Sequence, residues 1–288
     1  MSNIELISIH FPWFFPTFLF LIGLCVGSFL NVCVYRMPRG LSIVWPPSFC
    51  PKSGTSLKWW ENIPLLSFIL LRGKGRISKE KIGWQYPALE LFTGIAFAGL
   101  WVSFPHPAAL CYMAMTAIFL AGSFIDWQFK IIPDSFTVGG TLLGVIVSLF
   151  VPALHGVHTT GVAASTLSLG ISLLGLLVGS GVVLWLAIGA EIILKKEAMG
   201  FGDVKLLGMI GAFLGWQGAL FAIFAGAIIG TAVALVTILV EKLSGKDEGF
   251  FGREIPFGPM LCAASLVWLW VQGPFISGWE HFARVIVG

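Results

Sequence analysis

Long apolar segments, several near the length that crosses a bilayer as a helix, dominate this 288-residue sequence. About 20 apolar residues in α-helical form span the hydrocarbon core. Only 11% of the residues are charged, whereas a soluble domain has about 25%. The sequence therefore predicts an all-α polytopic membrane protein of about eight transmembrane helices. The segments lie at 13–35, 86–103, 108–125, 135–152, 168–194, 204–217, 219–240 and 258–273.

The positions of the basic residues predict the orientation of these helices. Cytoplasmic loops of membrane proteins carry an excess of Lys and Arg. If the N-terminus is periplasmic, the four inside loops contain 16 of the 17 Lys and Arg residues, and only Arg284 lies elsewhere. The first 35 residues contain no Lys or Arg, so a cleaved signal peptide is not indicated and we expect a retained first helix. The inside loops are 36–85, 126–134, 195–205 and 241–257.

The same pattern divides the chain into three parts. Residues 1–35 form the first transmembrane helix, residues 36–85 a long cytoplasmic loop, and residues 86–288 a transmembrane core. Loops this long are usually functional or disordered. Two interpretations stay open, a basic loop lying on anionic lipid headgroups and a cytoplasmic subdomain that handles a substrate. The net charge of +3 is too small to indicate a nucleic-acid partner.

Two carboxylates are placed where they could act together. Acidic residues near membrane depth are costly and mark candidate functional sites. Asp126 ends the third apolar segment and Asp203 begins the sixth, so both are predicted at cytoplasmic helix ends and at similar depth. Neighbouring carboxylates tend to share one proton. The ionised group can take a proton from water while the protonated group polarises a peptide carbonyl, which is the chemistry of an aspartyl protease.

Each carboxylate also has a structural interpretation. Asp134 follows Pro133 and is predicted to cap a helix rather than to catalyse. Asp203 could itself be an N-cap. Asp126 lies at a helix C-terminus, where a negative charge opposes the helix dipole and has no structural purpose. Gly200 and Gly202 would let a substrate backbone approach Asp203.

An alternative function uses the same acids as an ion relay in a transporter. Such a protein would show inverted repeats and broken helices around a site at the bilayer midplane. The sequence shows no such repeat, and its acids are predicted at one membrane face. This alternative is therefore the less favoured one.

The segment from Asp126 to Asp134 and the Gly-x-Gly-Asp of 200–203 resemble the two signatures of the type IV prepilin peptidases, intramembrane GxGD aspartyl proteases of bacterial inner membranes. The resemblance extends over nearly the whole chain in the same order. It includes Gly27–Val32 followed by Tyr35–Pro38, then Trp59–Ser67, Tyr86-Pro87, Glu90–Gly94 and Ile255–Pro259.

The resemblance implies a specific reaction. The substrates would be type IV prepilins and pseudopilins, cleaved after a Gly at the cytoplasmic membrane face. Asp126 and Asp203 take the catalytic places. Family members commonly also methylate the new N-terminal residue with S-adenosylmethionine, and the long loop is the part tied to methylation and substrate handling. Residues in supporting positions are Gly200, Gly202, Pro133, Asp134, Glu90, Glu61 and Asn62. Neither the residues that bind S-adenosylmethionine nor the oligomeric state is indicated.

The sequence departs from the family at one point in the loop. Many members carry two CxxC pairs there, which imply a tetrahedral thiolate zinc site. This chain keeps only Cys50 of the first pair, and Gly75 and Ser78 stand at the second. One thiolate cannot form a structural zinc site, so we predict no zinc. The loop would then be held by other contacts, with Trp59, Trp60 and Trp84 as candidates.

Overall fold

The computed structural model describes residues 3–50, 53–104, 106–195, 199–243 and 255–287. Within these ranges the protein is all-helical, as predicted, with short 3-10 turns at Met37–Arg39, Trp59–Asn62 and Pro152–His155. Four of the basic residues that set the predicted orientation lie outside the described residues, namely Lys52, Lys196, Lys246 and Arg253. The helices are α1 (Asn3–His10), α2 (Phe14–Arg36), α3 (Leu66–Leu70), α4 (Gln85–Ser103), α5 (His106–Phe129), α6 (Asp134–Phe150), α7 (Val162–Leu194), α8 (Phe201–Leu243) and α9 (Gly258–Val287).

Four helices in the described part of the chain are long and apolar enough to cross a membrane. They are α2 with the turn that follows it, α5, α7 and α8, and α6 is a shorter apolar helix. The predicted apolar segments therefore correspond to helices. The sixth and seventh segments both fall within α8.

Helix α8 doubles back at Gly215. This glycine has φ 71° and ψ 179°, a backbone conformation that is not helical and that other residues rarely adopt. A Cβ added at Gly179 of α7 would contact the Leu207 carbonyl oxygen and would lie 3.1 Å from the Ala219 Cβ. Residues 207 and 219 would be about 18 Å apart along a straight helix. A single Cβ on α7 could not contact both residues if α8 were straight. The two halves of α8 therefore lie side by side against α7.

The chain divides into two compact units, Met1–Ile125 and Asp126–Gly288, and the boundary falls within α5. Unit 1 contains the close pair α2 and α4. A Cβ at Gly23 would lie 2.7 Å from the Gly94 Cα, and one at Gly27 would lie 2.6 Å from the Glu90 Cα. These distances are too short for any side chain, so glycine allows the two backbones to touch.

In unit 2 helix packing requires glycine at only some positions. The backbones of Gly175 in α7 and Gly211 in α8 are in direct contact, which leaves no room for a side chain at either residue. Gly170 and Gly181 of α7 face open space instead. Sequence alone could not separate these positions, because the facing helix decides which glycines are needed.

The loop of unit 1 is organised by buried charges. Arg36 is only 3% exposed and donates hydrogen bonds to the carbonyls of Ser42 (2.9 Å), Pro46 (2.7 Å) and Pro47 (3.1 Å). The expectation that tryptophans hold the loop is wrong for Trp59, which is 81% exposed. Trp84 is 79% exposed and packs on Phe68 with ring centroids 5.3 Å apart.

Glu61 is the second buried charge of the loop. Its carboxylate accepts the Lys58 backbone N–H at 2.7 Å and pairs with the Arg76 Nε at 2.8 Å. Burial by itself raises the pKa of Glu61, but these two donors outweigh burial and hold the pKa below its ordinary value. A depressed pKa stabilises the folded loop above the ordinary carboxyl pKa, and this contribution is lost as the pH falls through the folded pKa.

We therefore expect Glu61→Gln to loosen the loop at neutral pH. The amide cannot replace a charge-assisted pair, so the protection of the Lys58 amide against hydrogen exchange should fall by roughly tenfold, or about 1.4 kcal/mol. The difference between wild type and variant should disappear in acid. A difference that persists below the folded pKa of Glu61 would contradict the assigned charge effect.

Candidate active site

Asp126 lies in the last turn of α5, at the start of unit 2, and is 6% exposed. Its Oδ2 accepts the backbone N–H of Gly258 at 3.1 Å. Gly258 is the first residue of α9, so the N-terminus of one helix binds a carboxylate at the C-terminus of another. A helix N-terminus favours a negative partner, which compensates for the unfavourable position of Asp126 on its own helix.

Asp203 lies in the first turn of α8 and is half-buried. Its backbone N–H donates to the Gly200 carbonyl at 3.1 Å. In the described part of the chain the Asp203 carboxylate makes no hydrogen bond, so it does not cap α8. The N-cap interpretation of Asp203 therefore has no support in the structure.

The two aspartates belong to one cluster around Ile132. Asp126 lies in the last turn of α5 and Asp203 in the first turn of α8, and both belong to unit 2. A Cβ at Gly202, next to Asp203, would lie 3.7 Å from the Ile132 Cβ, and a Cβ at Gly258 would lie 2.9 Å from the Ile132 Cδ1. Ile132 thus touches both the residue before Asp203 and the residue that binds Asp126. The fold therefore places the segments that carry Asp126 and Asp203 around one side chain in unit 2.

Asp134 has a different role from the predicted one. The N-cap of α6 is Pro133, and Asp134 is the first helical residue, without a capping hydrogen bond. Its carboxylate pairs instead with the Lys205 Nζ of α8 at 2.6 Å. Because the Asp134 side chain is 68% exposed, this ion pair contributes at most about 1 kcal/mol.

Neither glycine of the Gly-x-Gly-Asp segment is in a contact close enough to exclude a Cβ. A Cβ at Gly200 would come no closer than 3.9 Å to the Asp203 Oδ2, and the Gly202 position has ordinary van der Waals space. Gly258 is different, since a Cβ there would lie 2.6 Å from the Asp126 Oδ2. The intact fold therefore requires glycine at 258 and leaves free space at 200 and 202.

Three of the predicted supporting residues belong to unit 1. Glu61, Asn62 and Glu90 line a cavity of about 210 Å³ in that unit. The Glu90 Oε2 accepts the Leu65 backbone N–H at 2.8 Å, and the Asn62 Nδ2 lies 3.4 Å from the Ser48 Oγ. Among the described residues Glu90 has no basic partner.

Sequence reasoning did not nominate Gly258 as a site residue. It lies within the Ile255–Pro259 motif, which by itself indicates only the family resemblance. The contact joins residues 132 positions apart, and no local pattern reports such a contact. Arg36 was likewise counted only as a basic loop residue, although it is buried.

Three of the four loop positions at which the resemblance implies cysteine, namely 50, 75 and 78, lie close together in this structure. The Cys50 Sγ lies 3.9 Å from the Ser78 Oγ, and a Cβ at Gly75 would contact the same oxygen. Two thiolates bound to one tetrahedral zinc at about 2.3 Å would be about 3.8 Å apart. The spacing of positions 50 and 78 is close to that of two zinc thiolates, but one thiol, two hydroxyls and a glycine are not a donor set for structural zinc. The absence of zinc stays a prediction.

Restoring the thiols should restore a metal site. We expect Ser53→Cys/Gly75→Cys/Ser78→Cys, which leaves Cys50 in place, to bind one zinc ion per chain. Metal analysis of the purified proteins should find stoichiometric zinc in the triple variant and none in the wild type. Zinc in the wild type would refute the donor-set argument. A triple variant without zinc would show that the four positions do not converge.

The fold and the site define a helical membrane protein with two acidic side chains at helix ends of one unit. Comparison with known families agrees with this class. Residues 21–104 match the bacterial peptidase A24 N-terminal domain, and residues 113–235 match the type IV leader peptidase family. No solved structure matches the chain.

Three relatives carry the same name, prepilin leader peptidase/N-methyltransferase. The protein from Burkholderia pseudomallei strain 1026b is 33% identical over 90% of this chain and 86% of its own length. The one from Dickeya chrysanthemi is 32% identical over 94% of this chain and 97% of its own length. The one from Myxococcus xanthus is 36% identical over 79% and 66%, respectively. The chain belongs to the type IV leader peptidase family.

Proposed function

We propose that this protein cleaves the basic leader of type IV prepilins and pseudopilins after a glycine at the cytoplasmic membrane face, with Asp126 and Asp203 as the catalytic pair. We further propose that it methylates the new N-terminal residue with S-adenosylmethionine. The observation that carries the first proposal is that Ile132 lies against both Gly202, which precedes Asp203, and Gly258, which binds Asp126. The relatives' shared name supports both activities.

The geometry supports a division of labour between the aspartates. The Gly258 N–H fixes one oxygen of Asp126. In the described part of the chain, the remaining carboxylate oxygens of the pair have no hydrogen-bond partner. They are therefore available to a water molecule and to the scissile carbonyl. One aspartate takes the proton of the attacking water, and its protonated neighbour donates a hydrogen bond to the carbonyl oxygen.

Space around Asp203 supports access of a peptide. Neither Gly200 nor Gly202 needs to be glycine for packing. Glycine at these positions instead leaves room for an extended substrate backbone beside the carboxylate. Free space next to an unpartnered carboxylate is what an intramembrane protease requires of its substrate cleft.

We propose a multi-pass topology in the bacterial inner membrane with eight transmembrane segments and a periplasmic N-terminus. The bias of Lys and Arg toward alternate loops supports the orientation. The reversal of α8 at Gly215 supports the separation of the sixth and seventh segments. Residues 36–85 then form a cytoplasmic subdomain for substrate handling and methylation, and residues 86–288 form the peptidase core.

Processing of a prepilin tests both activities separately. The purified protein in lipid vesicles should release the leader from a prepilin, and the mature product should gain the mass of one methyl group only when S-adenosylmethionine is added. An intact prepilin after incubation would overturn the peptidase proposal. A cleaved but unmethylated product would overturn the methyltransferase proposal alone.

A further inference from the structure

The cavity of unit 1 lies between α2, α4 and the loop that joins them, and its volume is about 210 Å³. Ser28 and Asn31 of α2 contribute to its wall, as do Tyr86 and Glu90 of α4 and Glu61 and Arg76 of the loop. These residues belong to unit 1, whereas both aspartates belong to unit 2. The cavity wall therefore contains neither aspartate.

Two charged groups of the cavity wall, Arg36 and Glu90, have no partner of opposite charge among the described residues. Arg36 is satisfied by three backbone carbonyls, and Glu61 is paired with Arg76 at 2.8 Å. Glu90 accepts hydrogen bonds from the Leu65 N–H and the Ser28 hydroxyl only. Among the described residues it has no cationic partner. A half-buried carboxylate without a countercharge favours a positively charged ligand.

An aromatic ring lies on the same helix face as this carboxylate. Tyr86 precedes Glu90 by four residues, so the two side chains are neighbours on α4. The Tyr86 carbonyl accepts the Asn31 Nδ2 at 3.1 Å, which fixes this part of α4 against α2. A carboxylate beside an aromatic face suits a weakly hydrated cation, as in the recognition of quaternary ammonium groups.

We propose that this cavity binds S-adenosylmethionine and that Glu90 and Tyr86 hold its sulfonium group. The inference rests on the proposed methyltransferase activity. The ligand carries one positive charge on sulfur, and its adenosine requires an apolar enclosure such as Leu57, Phe68 and Ile82 provide. Glu90 is a binding residue, because its attraction is strongest before the methyl group leaves.

The charge change of the reaction explains how the site would distinguish ligand from product. When bound, S-adenosylmethionine would supply the methyl group. The N–C bond to the substrate amine would form as the S–C bond breaks, and the bonding pair would stay on sulfur. The surplus proton of the amine would pass to water. The product S-adenosylhomocysteine is a neutral thioether at sulfur. Glu90 should therefore discriminate between two ligands of nearly identical shape.

Binding of both ligands to the full-length protein in lipid nanodiscs tests the proposal without catalysis. Glu90→Gln keeps the acceptor for the Leu65 N–H and removes only the charge. We expect it to weaken S-adenosylmethionine binding by roughly tenfold or more, as measured by titration calorimetry. Binding of S-adenosylhomocysteine should change by no more than about twofold. Glu90→Asp, which keeps the charge, should bind S-adenosylmethionine better than Glu90→Gln.

The matched control is Glu80→Gln, which removes an exposed carboxylate of the same loop that does not line the cavity. It should leave both affinities unchanged. Equal loss of both ligands in Glu90→Gln would mean a structural role and would overturn the proposal, as would unchanged S-adenosylmethionine affinity. A wild type that binds neither ligand would overturn both this site and the methyltransferase proposal. The peptidase proposal would be decided separately, by measuring leader cleavage.

Discussion

Asp126→Asn and Asp203→Asn should each abolish leader cleavage while the protein remains folded in the membrane. An amide has nearly the shape of a carboxylate, but it can neither take a proton from water nor present the shared proton to a carbonyl. Loss of a general acid or base costs roughly 10²–10⁴-fold in rate. Because the two groups act as a unit, the double variant should be no slower than either single variant.

The measurement is cleavage of a prepilin in vesicles, with size-exclusion profiles of each variant as the check on folding. Asp134→Asn is the matched comparison, since it changes a nearby carboxylate that forms an exposed ion pair with Lys205. It should retain most of the cleavage rate, because exposed ion pairs contribute about 0–1 kcal/mol. Cleavage at the wild-type rate in either catalytic variant would refute the aspartate pair.

Gly258→Ala should have the second largest effect, although this residue carries no reactive group. Its new Cβ would lie 2.6 Å from the Asp126 Oδ2 and 2.9 Å from the Ile132 Cδ1. One of these neighbours must move, and the hydrogen bond that fixes the Asp126 carboxylate is disturbed. A displacement of about 1 Å in a catalytic group can cost roughly 100-fold in rate, so we expect a loss of this size in leader cleavage.

Gly139→Ala supplies the control for Gly258→Ala. Gly139 lies in α6 of the same unit, and a Cβ there meets nothing within 4 Å. The same chemical change should therefore leave cleavage within about twofold of wild type, since surface substitutions are usually within about 0.5 kcal/mol. Equal activity of the two alanine variants would show that the Gly258 contact does not position Asp126.

Local patterns in the sequence predicted the helices and the catalytic candidates. The length of the apolar segments identified the helices, because burying a backbone in lipid requires internal hydrogen bonds and about 20 residues. The cost of an acid near membrane depth singled out Asp126 and Asp203. Both arguments depend only on neighbours in the chain, so a sequence can support them.

Other assignments failed where a distant partner decided the outcome. Asp134 was expected to cap its own helix, but its carboxylate forms an ion pair with Lys205 of α8 instead. Trp59 was expected to hold the loop, yet it is exposed, and the buried ions Arg36 and Glu61 organise that segment. Capping propensity and aromatic content are weak guides when the competing contact lies far along the chain.

The sequence by itself determined that this chain is helical and built for a membrane, and it named the two aspartates as the candidate pair. The tertiary structure decided that α8 reverses at Gly215 and that the Gly258 N–H holds Asp126. It also decided that Glu90 lines a cavity and has no cationic partner in the described part of the chain. The physical reason is the range of the interactions. Hydropathy and helix length are summed over consecutive residues, whereas an active site and a cavity depend on contacts between residues up to 132 positions apart.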